Sequence, residues 1–255
     1  MPTRWGWRVA VIATILILFG NAAGLAAGPN VVTVSWATMA QTAGTLLIVI
    51  VAFRWCGLTW AEAGIGRTDL LRSTLIGAGI GLGMAAVVLL ALELGALLGT
   101  PITYQPLQGA ATSALLTHAL VGLPLLTVIP EELAFRGLVL GLLIRKLTPW
   151  RATLVTSATF VAWHVVVQVQ TLALTNFTSS GQIVLATSLA VAGLFAGGLI
   201  FAFVRLRTDN LAGAVAFSGD GESIARLSPA ARAMRRAKFK SRRKFCPSDL
   251  LALSP

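Results

Sequence analysis

Glu131, Glu132 and Arg136 stand in a segment that is otherwise apolar, beginning at Val128 and running on without further charge to Ile144. Two carboxylates and a guanidinium this close together can divide acid–base work, one acid taking a proton from water while the other is held in an ion pair. On a helix Glu132 and Arg136 lie four apart with the acid first, the favourable order for pairing. Glu131 is turned about 100° from Glu132 at 3.6 residues per turn, so it need not share that pair and is free to handle a proton. A plainer reading has Pro130 opening a helix, with two acids in its first turn complementing the dipole at a membrane surface. Arg136 weighs against this, because it lies a further turn down the apolar run.

His164, in the run Thr159, Phe160, Val161, Ala162, Trp163, His164, Val165, is the second candidate. A lone histidine in an apolar helix is by default a hydrogen-bonded packing residue. Its depth argues for more. His164 follows the charged turn near position 150 by 14 residues, and Glu131 precedes Lys146 by 15. At about 1.5 Å per residue, both stand about 21–23 Å from that turn. Antiparallel neighbours would bring the carboxylate and the imidazole to one level, where they could share a water. His118 has no partner at a useful spacing and reads as a packing or interfacial residue, and Glu93 lies near the outer end of its span, within reach of water. Gly77, Gly79, Gly81 and Gly83, with Gly193, Gly197 and Gly198, read as small-residue positions for close helix approach.

The elements that must carry these residues follow from composition. Of 255 residues 56% are apolar and only 11% charged, with a mean hydropathy of +0.82. That is too little charge to cover a soluble globule. Continuous apolar runs, not period-two alternation, exclude a β-barrel. We expect an all-α polytopic transmembrane bundle with spans near 9–27, 33–53, 74–98, 124–146, 150–170 and 182–204, plus a truncated seventh. The stretch from Ala111 to Pro130 reads as an interfacial or re-entrant helix entering the fourth span. Arg4 and Arg8, then Arg54, Arg67 and Arg72, then Arg145, Lys146 and Arg151, then Arg205 and Arg207 flank alternate ends, and the intervening loops carry no charge. This positive-inside pattern places the N-terminus in the cytoplasm of a cell, with a bacterial plasma membrane as the expected setting. A cleaved signal peptide would use the same Arg4 and Arg8 with the small residues from Asn21 to Gly28, but the apolar stretch is long for one and more spans follow. Cys56 and Cys246 have no partner motif. Of the twenty basic residues nine lie between Arg226 and Lys244, so a nucleic-acid reading of the net charge of +11 rests on the tail alone, and no nucleic-acid partner is expected.

Glu-Glu-x-x-x-Arg on one membrane helix followed by Phe-x-x-x-His on the next resembles the CPBP family of intramembrane proteases, the CAAX-processing and bacteriocin-processing group also called Abi. The first motif falls on Glu131, Glu132 and Arg136, the second on Phe160 and His164, and the likeness extends through Phe195, Ala196, Gly197 and Arg207 to Leu211. The resemblance implies hydrolysis of peptide bonds in membrane-associated proteins or peptides, a prenylated CAAX protein or a bacterial membrane peptide being the substrate types. It makes Glu131 the general base, His164 its partner on the water or a metal ligand, and Glu132 with Arg136 the supporting pair. Glu131 and His164 could hold a zinc ion, and a metal-free glutamate mechanism is equally compatible.

The family's third motif, His-x-x-x-Asn, should fall on Ser218 and Glu222, and neither residue matches. The chain thus divides into two N-terminal helices (1–54), a protease-like core (55–217) and a basic, disordered tail (218–255). The tail could bind anionic lipid headgroups. An altered reading frame inside the seventh helix is the better explanation, because too few apolar residues remain to span. The sequence therefore predicts an endopeptidase with impaired activity, beside two alternatives: a non-catalytic scaffold or immunity-type protein, and a proton-coupled carrier. Lack of an inverted repeat and of a second broken helix speaks against the carrier.

Overall fold

A long apolar segment in lipid can satisfy its backbone only within itself, as a helix. The computed structural model describes residues 4–28, 35–65, 70–99, 101–108 and 110–211, and among these it is all helix and connecting turn apart from one isolated bridge between Tyr104 and Thr175. The helices are α1 (Arg4–Ala27), α2 (Trp36–Cys56), α3 (Leu70–Leu97), α4 (Thr112–Leu143), α5 (Pro149–Trp163), α6 (Val165–Ala173) and α7 (Ser180–Thr208). Five of them are long and apolar enough to cross a membrane, and α5 with α6 makes a sixth crossing if that bent pair is one span. The chain is an integral membrane protein with an all-α, polytopic bundle. The expected truncated seventh helix and the tail lie outside the described residues.

Two expectations about the spans need correction. The stretch from Ala111 to Pro130 does run into the fourth span, but α4 is unbroken for 32 residues, so the stretch does not turn back as a re-entrant segment, and Pro130 sits inside α4 and does not open it. Much of α4 is π-helical, over His118–Val128 and Leu133–Val139, with Ile129 N–H reaching back five residues to the Pro124 carbonyl. Proline inside a helix removes a donor and crowds the carbonyl four residues before it, and widening the turn relieves both. The fifth span is also not straight: α5 and α6 meet at His164 with a bend of 46°. A helix interrupted in this way, as a broken span or a re-entrant loop, stands against the expectation of none beyond the fourth.

The core lies where α1, α2, the second half of α4 and α5 meet. Leu16, Phe135, Leu138, Leu140 and Leu142 are wholly buried there. The glycines expected to bring helices together do so only in part. A Cβ on Gly198 would meet Ser157 at 3.0 Å, so α7 and α5 touch there, but Gly83 and Gly193 face open space. The closest approaches use glycines the pattern did not single out, Gly20 against Trp163 and Gly44 against Phe19. Outward, α3 from Val87 to Leu97 is largely exposed, as a lipid-facing helix must be, and Glu93 is exposed near its end. Trp7, Trp55, Trp60 and Trp150 are exposed at the arginine-rich end, the level at which tryptophan belts sit.

Polar groups tie that end together. Glu62, in the turn after α2, accepts from Arg145 Nη2 at 2.7 Å and Nε at 3.1 Å, while Arg145 also donates to the carbonyls of Cys56 and Gly57 that end α2. Arg205 donates to the Glu62 carbonyl at 2.6 Å, and its guanidinium fills the space a Cβ on Gly64 would need, at a backbone φ of +79°. Partial burial pushes the Glu62 carboxyl up, but hydrogen bonds from Arg145 and Thr59 and the Arg145 charge outweigh it and hold the group at about 2, below its ordinary 4.5. A depressed carboxylate stabilises the fold fully above its unfolded value and ceases to do so as pH falls through its folded value. We expect the melting temperature of the wild type to drop on going from about pH 5 to about pH 3, and the drop to be smaller in Glu62→Gln. Solvent exposure keeps the contribution below about 1 kcal/mol.

Candidate active site

The four residues read from the sequence come together where α4 packs on α5. Glu132 and Arg136 form the expected pair at 2.6 Å, one turn apart on α4, with Arg136 fully buried. The guanidinium also lies over the Phe160 ring at 4.3 Å and within 5.5 Å of Phe201. Aromatic faces are negative at their centres, so two rings supply charge compensation that a second carboxylate would otherwise have to give. Arg136 Nε and Nη2 and Glu132 Oε2 are buried with no hydrogen-bond partner among the described residues.

Glu131 and His164 do reach one level, with His164 Nε2 at 3.7 Å from Glu131 Oε2. The bend between α5 and α6 makes this possible. His164 N–H bonds the Val161 carbonyl three residues back, which leaves the Phe160 carbonyl without its helical donor. His164 Nδ1 takes that place at 2.8 Å. A carbonyl has no proton to give, so Nδ1 must be the donor, and in the neutral form of the ring Nε2 is then the nitrogen whose lone pair lies toward Glu131. Phe160 lies against the imidazole, tilted by 58° with centroids 4.4 Å apart, as well as under Arg136, so one ring links the ion pair to the histidine.

Glu131 is not wholly free, as helix geometry alone implied. Its Oε1 accepts from Trp163 Nε1 at 3.1 Å, and the indole is buried with its ring edge-on to Phe135. Trp163 was missed because a tryptophan in an apolar helix reads as packing, although its position beside His164 was the available signal. Also unforeseen, Thr42 on α2 donates to the Leu126 carbonyl, whose helical donor would have come from Pro130, which has no N–H. Asn21 on α1 bonds both Ala162 and Val166, on either side of His164. His118, by contrast, stays apart from the site, its Nδ1 buried and unpartnered among the described residues and its ring against Gly122.

Gly20 leaves the room that Trp163 occupies, since a Cβ there would overlap the indole. Gly20→Ala is expected to destabilise the protein by about 1–3 kcal/mol through overpacking. Gly24→Ala, whose Cβ would meet a Val167 methyl at 3.2 Å and a Val166 methyl at 3.5 Å, neither an overlap as at Gly20, should cost less. Melting temperatures in detergent compare the two.

A neutral imidazole nitrogen and a carboxylate are donor types that zinc accepts, but a zinc site takes at least three protein ligands. Glu132 is engaged by Arg136, and among the described residues no three of His, Cys, Asp and Glu stand close enough to hold a metal. The residues described here fall short of that donor set.

Residues 113–218 match the family model of the type II CAAX prenyl endopeptidases, Rce1-like. The chain carries an Rce1-like domain. It takes in nearly all of α4 and the whole of α5, α6 and α7, so Glu131, Glu132, Arg136, Phe160, Trp163 and His164 all belong to it. The match starts later than the core boundary at 55 and ends at Ser218, which with Glu222 lies outside the described residues. Asn21, Gly20 and Thr42, which touch the same helices, lie outside the Rce1-like domain. No curated protein and no solved structure matches the chain.

Proposed function

We propose that this chain is an intramembrane endopeptidase that hydrolyses peptide bonds of membrane-associated proteins or peptides, with Glu131 as the general base. The facing of Glu131 Oε2 and His164 Nε2 at 3.7 Å, inside an Rce1-like domain, carries this reading. A water between the two would have a carboxylate to take its proton and a lone pair to orient it. Its oxygen attacks the scissile carbonyl carbon, the proton passes to Glu131, and Glu131 returns it to the leaving amine as the C–N bond breaks. Trp163 holds the carboxylate in place through Oε1, and the buried Glu132–Arg136 pair fixes the helix that bears it.

The positive-inside charge pattern puts the N-terminus and the arginine-rich end in the cytoplasm, where the basic tail would meet anionic lipid. Ser218 and Glu222 stand where the family pattern has histidine and asparagine, so we propose slow turnover. The same substitutions favour a second reading, a non-catalytic scaffold of the same fold.

Incubating the purified chain in bicelles with a membrane-anchored peptide in ¹⁸O-water separates the two. Hydrolysis places one ¹⁸O in the new C-terminal carboxylate, read by mass. Product that carries the label and vanishes in Glu131→Gln supports the endopeptidase, and absence of labelled product at long times supports the scaffold.

A further inference from the structure

The proposed mechanism leaves Asn21 unused, yet it makes the most specific contact between α1 and the site. A straight helix through His164 would join Val166 N–H to the Ala162 carbonyl. Instead, Asn21 Nδ2 donates to the Ala162 carbonyl at 2.9 Å, and Asn21 Oδ1 accepts from Val166 N–H at 2.9 Å. The side-chain amide is inserted into the bond that the 46° bend breaks. It also donates to Ile17 on its own helix at 2.8 Å, which fixes its rotamer. Both backbone groups lie within the apolar bent pair α5–α6, where an unpaired peptide N–H or C=O shielded from water costs several kcal/mol.

We propose that Asn21 is a positioning residue: by occupying the gap between Ala162 and Val166 it holds the α5–α6 bend and thereby keeps His164 Nε2 turned toward Glu131. Its role in catalysis rests on the endopeptidase reading, while its role in the bend does not. Removing the amide leaves two stranded groups whose nearest relief is each other. Pairing them closes the ordinary helical bond and straightens the span. A straight helix would return His164 N–H to the Phe160 carbonyl, displace Nδ1 from it, and rotate the imidazole away from α4.

No other side chain does the same work at this position. Leucine has neither donor nor acceptor, aspartate accepts from Val166 but repels the Ala162 carbonyl, and glutamine is one methylene too long. The neighbours of Asn21 suit the bent form as well. Gly20 clears the Trp163 ring and Gly24 approaches Val166 and Val167. The Phe19 ring lies 6.5 Å from that of Trp163. Thr42 applies a similar device to the Pro130 gap in α4, one polar side chain lent by the N-terminal helix pair to an interrupted helix of the Rce1-like domain.

The test uses the full chain in bicelles with spin labels at Val169 and Leu185, both exposed. Residue 169 lies five residues beyond the hinge, so straightening by 46° moves it by about 6 Å at 1.5 Å per residue. In Asn21→Leu we expect the inter-label distance to shift by several ångströms. Cleavage kcat should fall about 100-fold with KM within about twofold, as for a misplaced catalytic group. Asn21→Asp, which keeps one of the two bonds and the shape, should fall between the wild type and Asn21→Leu in both readouts, and it serves if the leucine variant does not fold. An unmoved distance in either variant overturns the positioning role. Absence of cleavage by the wild type overturns the endopeptidase reading instead and leaves the distance result to decide the bend.

Discussion

Glu131→Gln is expected to lower the rate of peptide cleavage by about 10²–10⁴-fold while leaving the melting temperature nearly unchanged. The two halves of this expectation come from different atoms. Glutamine keeps a carbonyl oxygen that can accept from Trp163 Nε1, now 3.1 Å from Glu131 Oε1, so the buried indole loses no partner. At the other oxygen position an amide N–H₂ would face His164 Nε2 and donate to its lone pair. The fold is therefore preserved, but an amide cannot take a proton from water. Rates against a reporter peptide and melting curves on the same samples check both halves. Cleavage at the wild-type rate in Glu131→Gln would remove Glu131 from the base role.

The largest effect on stability is expected at Arg136. Arg136→Met deletes a fully buried guanidinium and strands the Glu132 carboxylate, which is itself buried. Breaking a buried pair from one side typically costs about 3–5 kcal/mol, because the remaining charge has neither water nor partner. The double variant Glu132→Leu with Arg136→Met removes both charges and should recover most of that loss. It should still lack activity, since the helix bearing Glu131 is no longer held by the pair and Phe160 loses its cation. Unfolding in mild denaturant compares the single and double variants. A double variant no more stable than Arg136→Met would mean that the ring contacts to Phe160 and Phe201, and not the Glu132 charge, dominate.

Much of this architecture was legible because lipid simplifies the code. Apolar length and flanking arginines located the crossings, and the i, i+4 spacing of Glu132 and Arg136 required only helix geometry, which local structure supplies. Equal depth of Glu131 and His164 was also readable, since rise per residue and a short turn determine it. Interruption of the helices was harder to see. Pro124 and Pro130 announce missing donors, but whether the chain answers with a break or with wide π turns depends on what stands beside it, here Thr42 reaching the Leu126 carbonyl. No proline or glycine marks the bend at His164, so no local signal announced it. Ser218 and Glu222, where the resemblance expects a histidine and an asparagine, lie outside the described residues.

The sequence by itself determined that this is a helical membrane protein, that one ion pair and one spare carboxylate share a helix, and that a histidine lies level with them. These follow from periodicity, burial cost and the positive-inside rule, each a property of residues near in sequence. Only the tertiary structure decided that Glu131 is tethered by Trp163, that Phe160 links Arg136 to His164, and that Asn21 stands in the gap left by the bend. Each of these joins residues on different helices, or turns on a hydrogen bond the helix would otherwise have made with itself. Such contacts form only because buried polar groups in lipid must find partners wherever packing brings them.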